Sequence, residues 1–236
     1  MRKPLLVLKN AAREGPGLLG EILQELGIEC DIVELEHGQS IPRLEGYAAL
    51  VVLGGSDSAN DDNDKMRDEL FHIHEAITWG LPYLGICLGL QTLVKAAGGK
   101  VVRSPIKEVG LRDPGGSLFT IELTEEGRKD PLFEGLDSSF FVFQLHGETI
   151  ETAGGMSLLA VGKSCRDQIV RVGSNAYGVQ CHFELTTEML GNWIDEDADL
   201  LELDGERLRA DFEAIKDEYT RVGKRLLHNF LKIAGY

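Results

Sequence analysis

A single cysteine between two glycines is the clearest chemical signal in the sequence. Gly85 and Gly89 flank Cys87 where an apolar stretch gives way to a helical pattern that begins at Leu88. This is the arrangement of a nucleophile elbow with sulfur in place of the serine oxygen, because the glycines let strand and helix pack closely around a strained turn. A thiol there attacks as its thiolate, and the N-terminus of the following helix helps to stabilise that charge.

His182 has the best context of the six histidines to act as the base for this thiol. Residues 177–184 predict a strand that ends in an H-x-E pattern, and side chains two positions apart on an extended segment share a face. Glu184 can therefore accept a hydrogen bond from His182 and fix its tautomer, as the acid does in a Ser-His-Asp triad. His146 is a weaker candidate for the base, with Glu148 as its only nearby acid in the sequence.

Two backbone N–H groups are candidate donors for an oxyanion hole. Thiolate attack on an acyl carbon places negative charge on the carbonyl oxygen, which needs preorganised donors. The N–H of Leu88 follows the nucleophile directly, and the N–H of Gly55 lies at the end of another apolar stretch, residues 48–53. These residues together predict a cysteine hydrolase that acts on an acyl carbon.

Two stretches of the sequence resemble the signatures of the class I glutamine amidotransferases, G-x-C-x-G-x-Q and G-x-Q-x-H-P-E. The chain has GICLGLQ at residues 85–91 and GVQCHFE at residues 178–184, and the similarity runs from about residue 5 to residue 190. The resemblance implies a triad of Cys87, His182 and Glu184, and it places Gly55 where the family has its oxyanion glycine.

The resemblance also implies a substrate site. Gln91 would contact the substrate glutamine, and residues 142–148 are similar to the S-H-G-D region of GMP synthase amidotransferase domains and the W-H-x-D version of their free-standing relatives. No metal or cofactor is implied. The backbone expected to hold the α-amino and α-carboxyl groups is that of Leu145, His146, Gly147 and Glu148.

Three residues depart from the family pattern. Leu145 stands where the family has serine or tryptophan, and Glu148 stands where it has aspartate. Phe183 replaces the usual proline and so removes a fixed φ between the base and the acid.

The implied activity is hydrolysis of the glutamine side-chain amide through a cysteinyl thioester, which gives glutamate and ammonia. Because the chain has no P-loop-like phosphate site, a separate synthase would accept the ammonia. The alternative is a free-standing γ-glutamyl peptide or amine hydrolase, which uses the same acyl chemistry with another leaving group. A protease-like or acyltransferase relative and a non-catalytic interaction subunit are two further alternatives.

Strand and helix patterns alternate along the first hundred residues, which predicts a doubly wound α/β fold of the flavodoxin-like kind with a mostly parallel sheet. After Gly99 the candidate strands are shorter, and some should be antiparallel additions. The predicted strands are residues 5–8, 31–35, 48–53, 81–86, 100–103, 118–123, 140–144, 157–161, 168–172 and 177–180. The predicted helices are residues 17–26, 65–79, one from 88, 187–201 and 205–234.

The domain prediction is a catalytic domain over residues 1–190 with a C-terminal helical extension, residues 191–236, packed on the same domain. The extension is acidic, and either caps the domain or docks a partner. The formal net charge of −15 argues against nucleic acid as a partner and favours a small molecule or a protein.

Cysteine usage and hydropathy predict a cytoplasmic protein. The four cysteines are widely and irregularly spaced, with no C-x-x-C pair to suggest zinc or a redox dithiol, and Cys30, Cys165 and Cys181 are expected to be structural. No apolar stretch reaches membrane-spanning length. Residues 1–10 have a short basic start and predict a first strand rather than a signal peptide.

Overall fold

The computed structural model describes residues 3–236, so Met1 and Arg2 of the basic start lie outside the described residues. The strands are β1 (Leu5–Lys9), β2 (Cys30–Glu34), β3 (Ala49–Val52), β4 (Tyr83–Ile86), β5 (Lys100–Gly110), β6 (Thr120–Leu123), β7 (Ser139–Phe141), β8 (Gln144–Glu151), β9 (Met156–Gly162), β10 (Asp167–Val172) and β11 (Ala176–Val179). The helices are α1 (Leu18–Leu26), α2 (Asp64–Trp79), α3 (Leu88–Ala96), α4 (Thr187–Glu196) and α5 (Gly205–Ile233).

A nine-stranded sheet in the order β2-β1-β3-β4-β11-β10-β9-β6-β7 forms the centre of the molecule. The first five strands in this order are parallel, and the other four join antiparallel. The predicted doubly wound fold with antiparallel additions is therefore confirmed. Because the carboxyl ends of parallel strands meet at one edge, the loops after β1, β3, β4 and β11 converge there, where α/β folds bind their ligands.

Helices cover both faces of the sheet, which explains why its central strands are continuously apolar. In β1, Leu5 and Val7 pack on the side of α1 and α5, whereas Leu6 and Leu8 pack on the side of α2 and α3. All residues of β3 and β4 are buried.

The region after α3 differs from the predicted strands. The strand predicted at residues 100–103 extends to Gly110, and pairs with β8 in a separate two-stranded antiparallel sheet. The strand predicted at residues 140–144 is divided between β7 and β8, because Phe143 leaves the main sheet to form a bridge with His182. This small sheet brings residues 144–148 to the carboxyl edge of the large one.

The C-terminal helices are built into the core. The helix predicted at residues 187–201 ends at Glu196, since the Asp197 carboxylate accepts the N–H groups of Asp199 and Leu200 and begins a new turn. The next helix, α5, is capped by Asp204 and packs against α1 and β7. None of the helices within residues 3–236 is long and apolar enough to cross a membrane.

Candidate active site

Cys87 lies in a strained turn between β4 and α3. Its φ of 53° and ψ of −103° make it the sole non-glycine residue with positive φ in residues 3–236. A Cβ on Gly85 would lie 2.2 Å from the carbonyl oxygen of Gly89, and a Cβ on Gly89 would lie 2.2 Å from that of Val52. The two glycines are thus required by the close approach of α3 to the sheet, which holds Cys87 in its unfavourable conformation.

His182 and Glu184 are buried beside each other, although β11 ends at Val179, earlier than predicted. The Nδ1 atom of His182 lies 2.7 Å from Oε1 of Glu184, and the backbone N–H of Phe183 donates to the other carboxylate oxygen at 2.9 Å. A bridge to Phe143 continues the extended backbone at His182, so the two side chains still lie on one side.

The environment of His182 favours its protonated form. Burial lowers the pKa of the imidazole, but the charge of Glu184 and hydrogen bonds with Cys87 and Glu184 outweigh this effect and raise the pKa well above its ordinary value. An imidazolium beside a thiol can stabilise the thiolate and later give its proton to a leaving group.

Aromatic rings hold the imidazole in place. The ring of Trp193, from α4, packs edge-on against His182 with 4.9 Å between centroids, and Phe143 packs at 6.4 Å. The indole Nε1 of Trp193 donates to the carbonyl oxygen of Arg13 at 3.0 Å. No motif marks Trp193 in the sequence. The domain prediction, which ends the catalytic domain at residue 190, leaves this residue outside it.

Helix α5 packs against the backbone of the segment that carries His182 and Glu184. The hydroxyl of Tyr219 donates to the carbonyl oxygen of His182 at 3.1 Å. A Cβ on Gly223 would lie 2.2 Å from the carbonyl oxygen of Phe183, so the helix touches the backbone between the base and the acid. Helix α5 therefore positions residues 182–184.

A cavity of about 340 Å³ opens at Cys87, a size suited to a small molecule. His182, Glu184 and Leu88 are buried outside its lining. The side chain of Leu88 approaches Gly55, where an added Cβ would lie 3.2 Å from Leu88 Cδ2. The predicted site residues that line the cavity are Gly55, Cys87, Gln91, Leu145, His146 and Gly147, together with Glu148.

The structure corrects the expected partner of His146. Its Nε2 atom lies 3.1 Å from the carboxylate of Glu108, and its Nδ1 atom lies 3.0 Å from the backbone carbonyl of Glu148. The register of β5 with β8 places Glu108 opposite His146, which no local pattern reveals. The side chain of Glu148 instead accepts a hydrogen bond from Ser58 at 2.9 Å.

Glu108, His146 and Cys165 form a buried cluster whose possible ligand atoms lie within 4.8 Å of one another. The N–H of Cys165 donates to Glu108 at 3.2 Å, and burial raises the pKa of the Cys165 thiol to about 11. These groups satisfy one another as a hydrogen-bond network that fixes the cavity wall. Cys181 is buried, whereas Cys30 is half-buried at the edge strand.

Another buried acid, Glu69, lies near the loop that carries Gly55. The amide nitrogen of Asn10 is 3.4 Å from Glu69 Oε1, and a Cβ on Gly55 would lie 2.7 Å from Asn10 Cβ. The other carboxylate oxygen of Glu69 is buried and has no hydrogen-bond partner among residues 3–236. Burial raises the pKa of Glu69 from 4.5 to about 7, although the Asn10 amide opposes this rise.

We expect Glu69→Gln to stabilise the protein more at pH 8 than at pH 5. Between pH 4.5 and 7 the folded state binds the Glu69 proton more tightly than the unfolded state does, so its contribution to the free energy of unfolding falls as pH rises, by up to roughly 3 kcal/mol. Glutamine does not titrate and keeps the acceptor for Asn10. Urea unfolding at both pH values measures the difference, with exposed Glu122→Gln as control. An equal effect of Glu69→Gln at both pH values would contradict this account.

Comparison with known sequences finds one family. The family model for class-I glutamine amidotransferases matches residues 18–197. YfeJ of Salmonella typhimurium, named as a glutamine amidotransferase-like protein, is 31% identical over 192 residues, which cover 78% of this chain and 77% of YfeJ. A glutamine-hydrolysing GMP synthase of Aquifex aeolicus is 29% identical over 200 residues, 82% of this chain but 36% of the synthase. The chain thus matches about a third of the length of that synthase.

Solved structures share the fold over nearly the whole chain. A glutamine amidotransferase from Methylobacillus flagellatus has a TM-score of 0.88 at 24% identity, and covers 99% of this chain and 96% of its own. One from Thermotoga maritima has a TM-score of 0.86 at 24% identity, and covers 98% of both chains. The likeness extends through α4 and α5.

Proposed function

Because the chain belongs to the class I glutamine amidotransferases, enzymes with a cysteine nucleophile, we propose that it hydrolyses the side-chain amide of glutamine through a thioester on Cys87. The observation that carries this proposal is the strained cysteine beside the buried 2.7 Å contact between His182 and Glu184. Both ring nitrogens of His146 are engaged elsewhere, which favours His182 as the base.

In the proposed reaction the Cys87 thiolate attacks the amide carbon and forms a carbon–sulfur bond. The N–H groups of Gly55 and Leu88 stabilise the resulting oxyanion. Protonated His182 gives its proton to the amide nitrogen, the carbon–nitrogen bond breaks, and ammonia leaves. His182 then accepts a proton from water, which attacks the thioester and releases glutamate with the thiol restored.

The substrate glutamine is proposed to lie between Gln91 and residues 145–148. The Gln91 amide nitrogen is 3.4 Å from the backbone carbonyl of Glu148 and from the side-chain oxygen of Gln180. The carboxylate of Glu148 forms no ion pair with another described residue, and it suits the α-ammonium group of the substrate. A glutamate in place of the family's aspartate extends this carboxylate by one methylene.

We propose that a synthase uses the ammonia. This is supported by several relatives that are named GMP synthases. We also propose that residues 1–190 form the catalytic domain and residues 191–236 an extension packed on it. The burial of Trp193, Tyr219 and Phe230 supports this arrangement.

L-Glutamine, γ-glutamyl methylamide and a γ-glutamyl dipeptide will test the proposed substrate. We expect glutamine to have the highest kcat/KM, by at least about tenfold, and to yield glutamate and ammonia in equal amounts. The same acyl chemistry acts on all three, so the leaving group alone decides the ranking. Faster cleavage of the methylamide or the dipeptide, with negligible glutaminase activity, would instead identify a γ-glutamyl amine or peptide hydrolase.

A further inference from the structure

Glu14 is a buried acid in the wall of the catalytic cavity that the sequence motifs do not include. It lies in the loop between β1 and α1, lines the cavity, and is 5% exposed. Its Oε2 atom is buried and accepts no hydrogen bond from residues 3–236. An unpartnered buried carboxylate oxygen is costly, so its presence beside a reaction site calls for a function.

Gly54 brings this carboxylate next to the proposed base. A Cβ on Gly54 would lie 2.0 Å from Oε2 of Glu14 and 3.3 Å from Cε1 of His182, so both groups face the space that the missing side chain leaves. Since Nδ1 of His182 is bound to Glu184, Nε2 is the ring nitrogen left for the substrate. The Cε1 atom lies between the two ring nitrogens, so Glu14 is close to the ring whose Nε2 must give the proton to the substrate nitrogen.

The charges of the cavity favour a leaving group that is neutral or positive. Arg13 pairs with Asp197 at 2.6 Å, Lys107 pairs with Asp199, and Asp57 pairs with Lys65 outside the lining. The remaining lining acids of the described chain, Glu14 and Glu148, form no ion pair with a lysine or an arginine. Burial raises the pKa of Glu14 to about 7, whereas the charge of His182 opposes the rise. Ionised Glu14 therefore has no lysine or arginine paired with it and faces only the His182 imidazolium, which gives up its proton during the reaction, so a neutral or positive leaving group fits this wall.

We propose that Glu14 binds the leaving group, its free oxygen accepting a hydrogen bond from the N–H of the nitrogen that departs when the substrate's carbon–nitrogen bond breaks. The inference rests on the proposed acyl chemistry and adds the class of leaving group. His182 supplies the proton to that nitrogen, and Glu14 holds the nitrogen by a hydrogen already on it. Ammonia and primary alkylamines fit, whereas a departing amino acid would bring its carboxylate towards Glu14.

Glu14→Leu removes the acceptor and keeps a similar volume, and two substrates with the same acyl group reveal its role. We expect kcat/KM for L-glutamine to fall by about tenfold or more, the worth of one hydrogen bond to a charged group. For the γ-methyl ester of glutamate, we expect a change below about twofold, because the departing oxygen has no N–H to donate. Asp199→Asn, which alters another cavity acid, should leave the ratio of the two substrates unchanged.

Equal losses on amide and ester, or unchanged glutaminase activity, would overturn the role of Glu14. A diazoketone analogue of glutamine, which has no leaving amine, should label Cys87 of Glu14→Leu at the wild-type rate if the fold and the nucleophile are intact. Wild-type protein that hydrolyses neither substrate would overturn the proposed function, and this inference with it. The wild-type control therefore distinguishes failure of the role of Glu14 from failure of the proposed function.

Discussion

Cys87→Ala is expected to abolish glutamine hydrolysis, with a loss in kcat on the order of 10⁴-fold or more, because no other group can form the thioester. The fold should survive, because alanine keeps the Cβ atom and the same backbone strain. The substitution removes only one sulfur atom, which borders the cavity. Ammonia release measures the activity, and thermal unfolding measures the fold. Normal turnover by this variant would refute the assignment of the nucleophile.

Covalent labelling gives the same prediction a second readout. A diazoketone analogue of glutamine should modify Cys87 in the wild-type protein and nothing in Cys87→Ala. Burial raises the pKa of Cys165 to about 11 and that of Cys181 well above its ordinary value, so neither thiol should react at neutral pH. Mass spectrometry of digested protein identifies the labelled residue, and a label on Cys30, Cys165 or Cys181 would count against the site.

Gly89→Ala is expected to destabilise the protein by about 3 to 5 kcal/mol, the upper end for one substitution. The new methyl group would lie 2.2 Å from the carbonyl oxygen of Val52, a backbone atom in a fully buried strand that cannot turn aside. Relief requires α3 to move away from the sheet, which would also displace the turn at Cys87. Urea unfolding measures the loss of stability.

Gly154→Ala is the matched control for this substitution. Gly154 lies in an exposed turn with nothing within 4 Å of an added Cβ and with a φ that other residues adopt. Its substitution should change the free energy of unfolding by less than about 0.5 kcal/mol. A similar small effect of Gly89→Ala would show that α3 can shift without cost, contrary to the packing described.

The fold and the proposed triad are accessible from the sequence because their signals are local. Alternating apolar strands and helical patterns predict the doubly wound sheet, which the structure confirms. The glycines around Cys87 indicate the close approach of helix and strand that a nucleophile elbow needs. The H-x-E spacing places the side chains of His182 and Glu184 on the same face of an extended segment. Each strand, helix or motif is recognised within its own short stretch of sequence, and the fold follows from the order of these stretches.

The remaining features depend on contacts between distant segments. Glu108 meets His146 through the register of β5 with β8, and the sequence spacing of 38 residues gives no hint of it. Trp193 meets His182 only through the packing of α4 against the segment that carries the base. Glu14 becomes a candidate once the contact with Gly54 is known, since a lone glutamate in a loop is ordinarily solvated.

The support of His182 by Tyr219 has a consequence for when activity can arise during synthesis. The nucleophile, the base and the acid are all translated before α5 begins at Gly205. Yet the hydroxyl that holds the His182 carbonyl, and the glycine that admits the backbone of Phe183, lie in that last helix. A nascent chain therefore carries the full set of reacting groups without the means to align them, and it should stay inactive until α5 has left the ribosome and packed against residues 182–184.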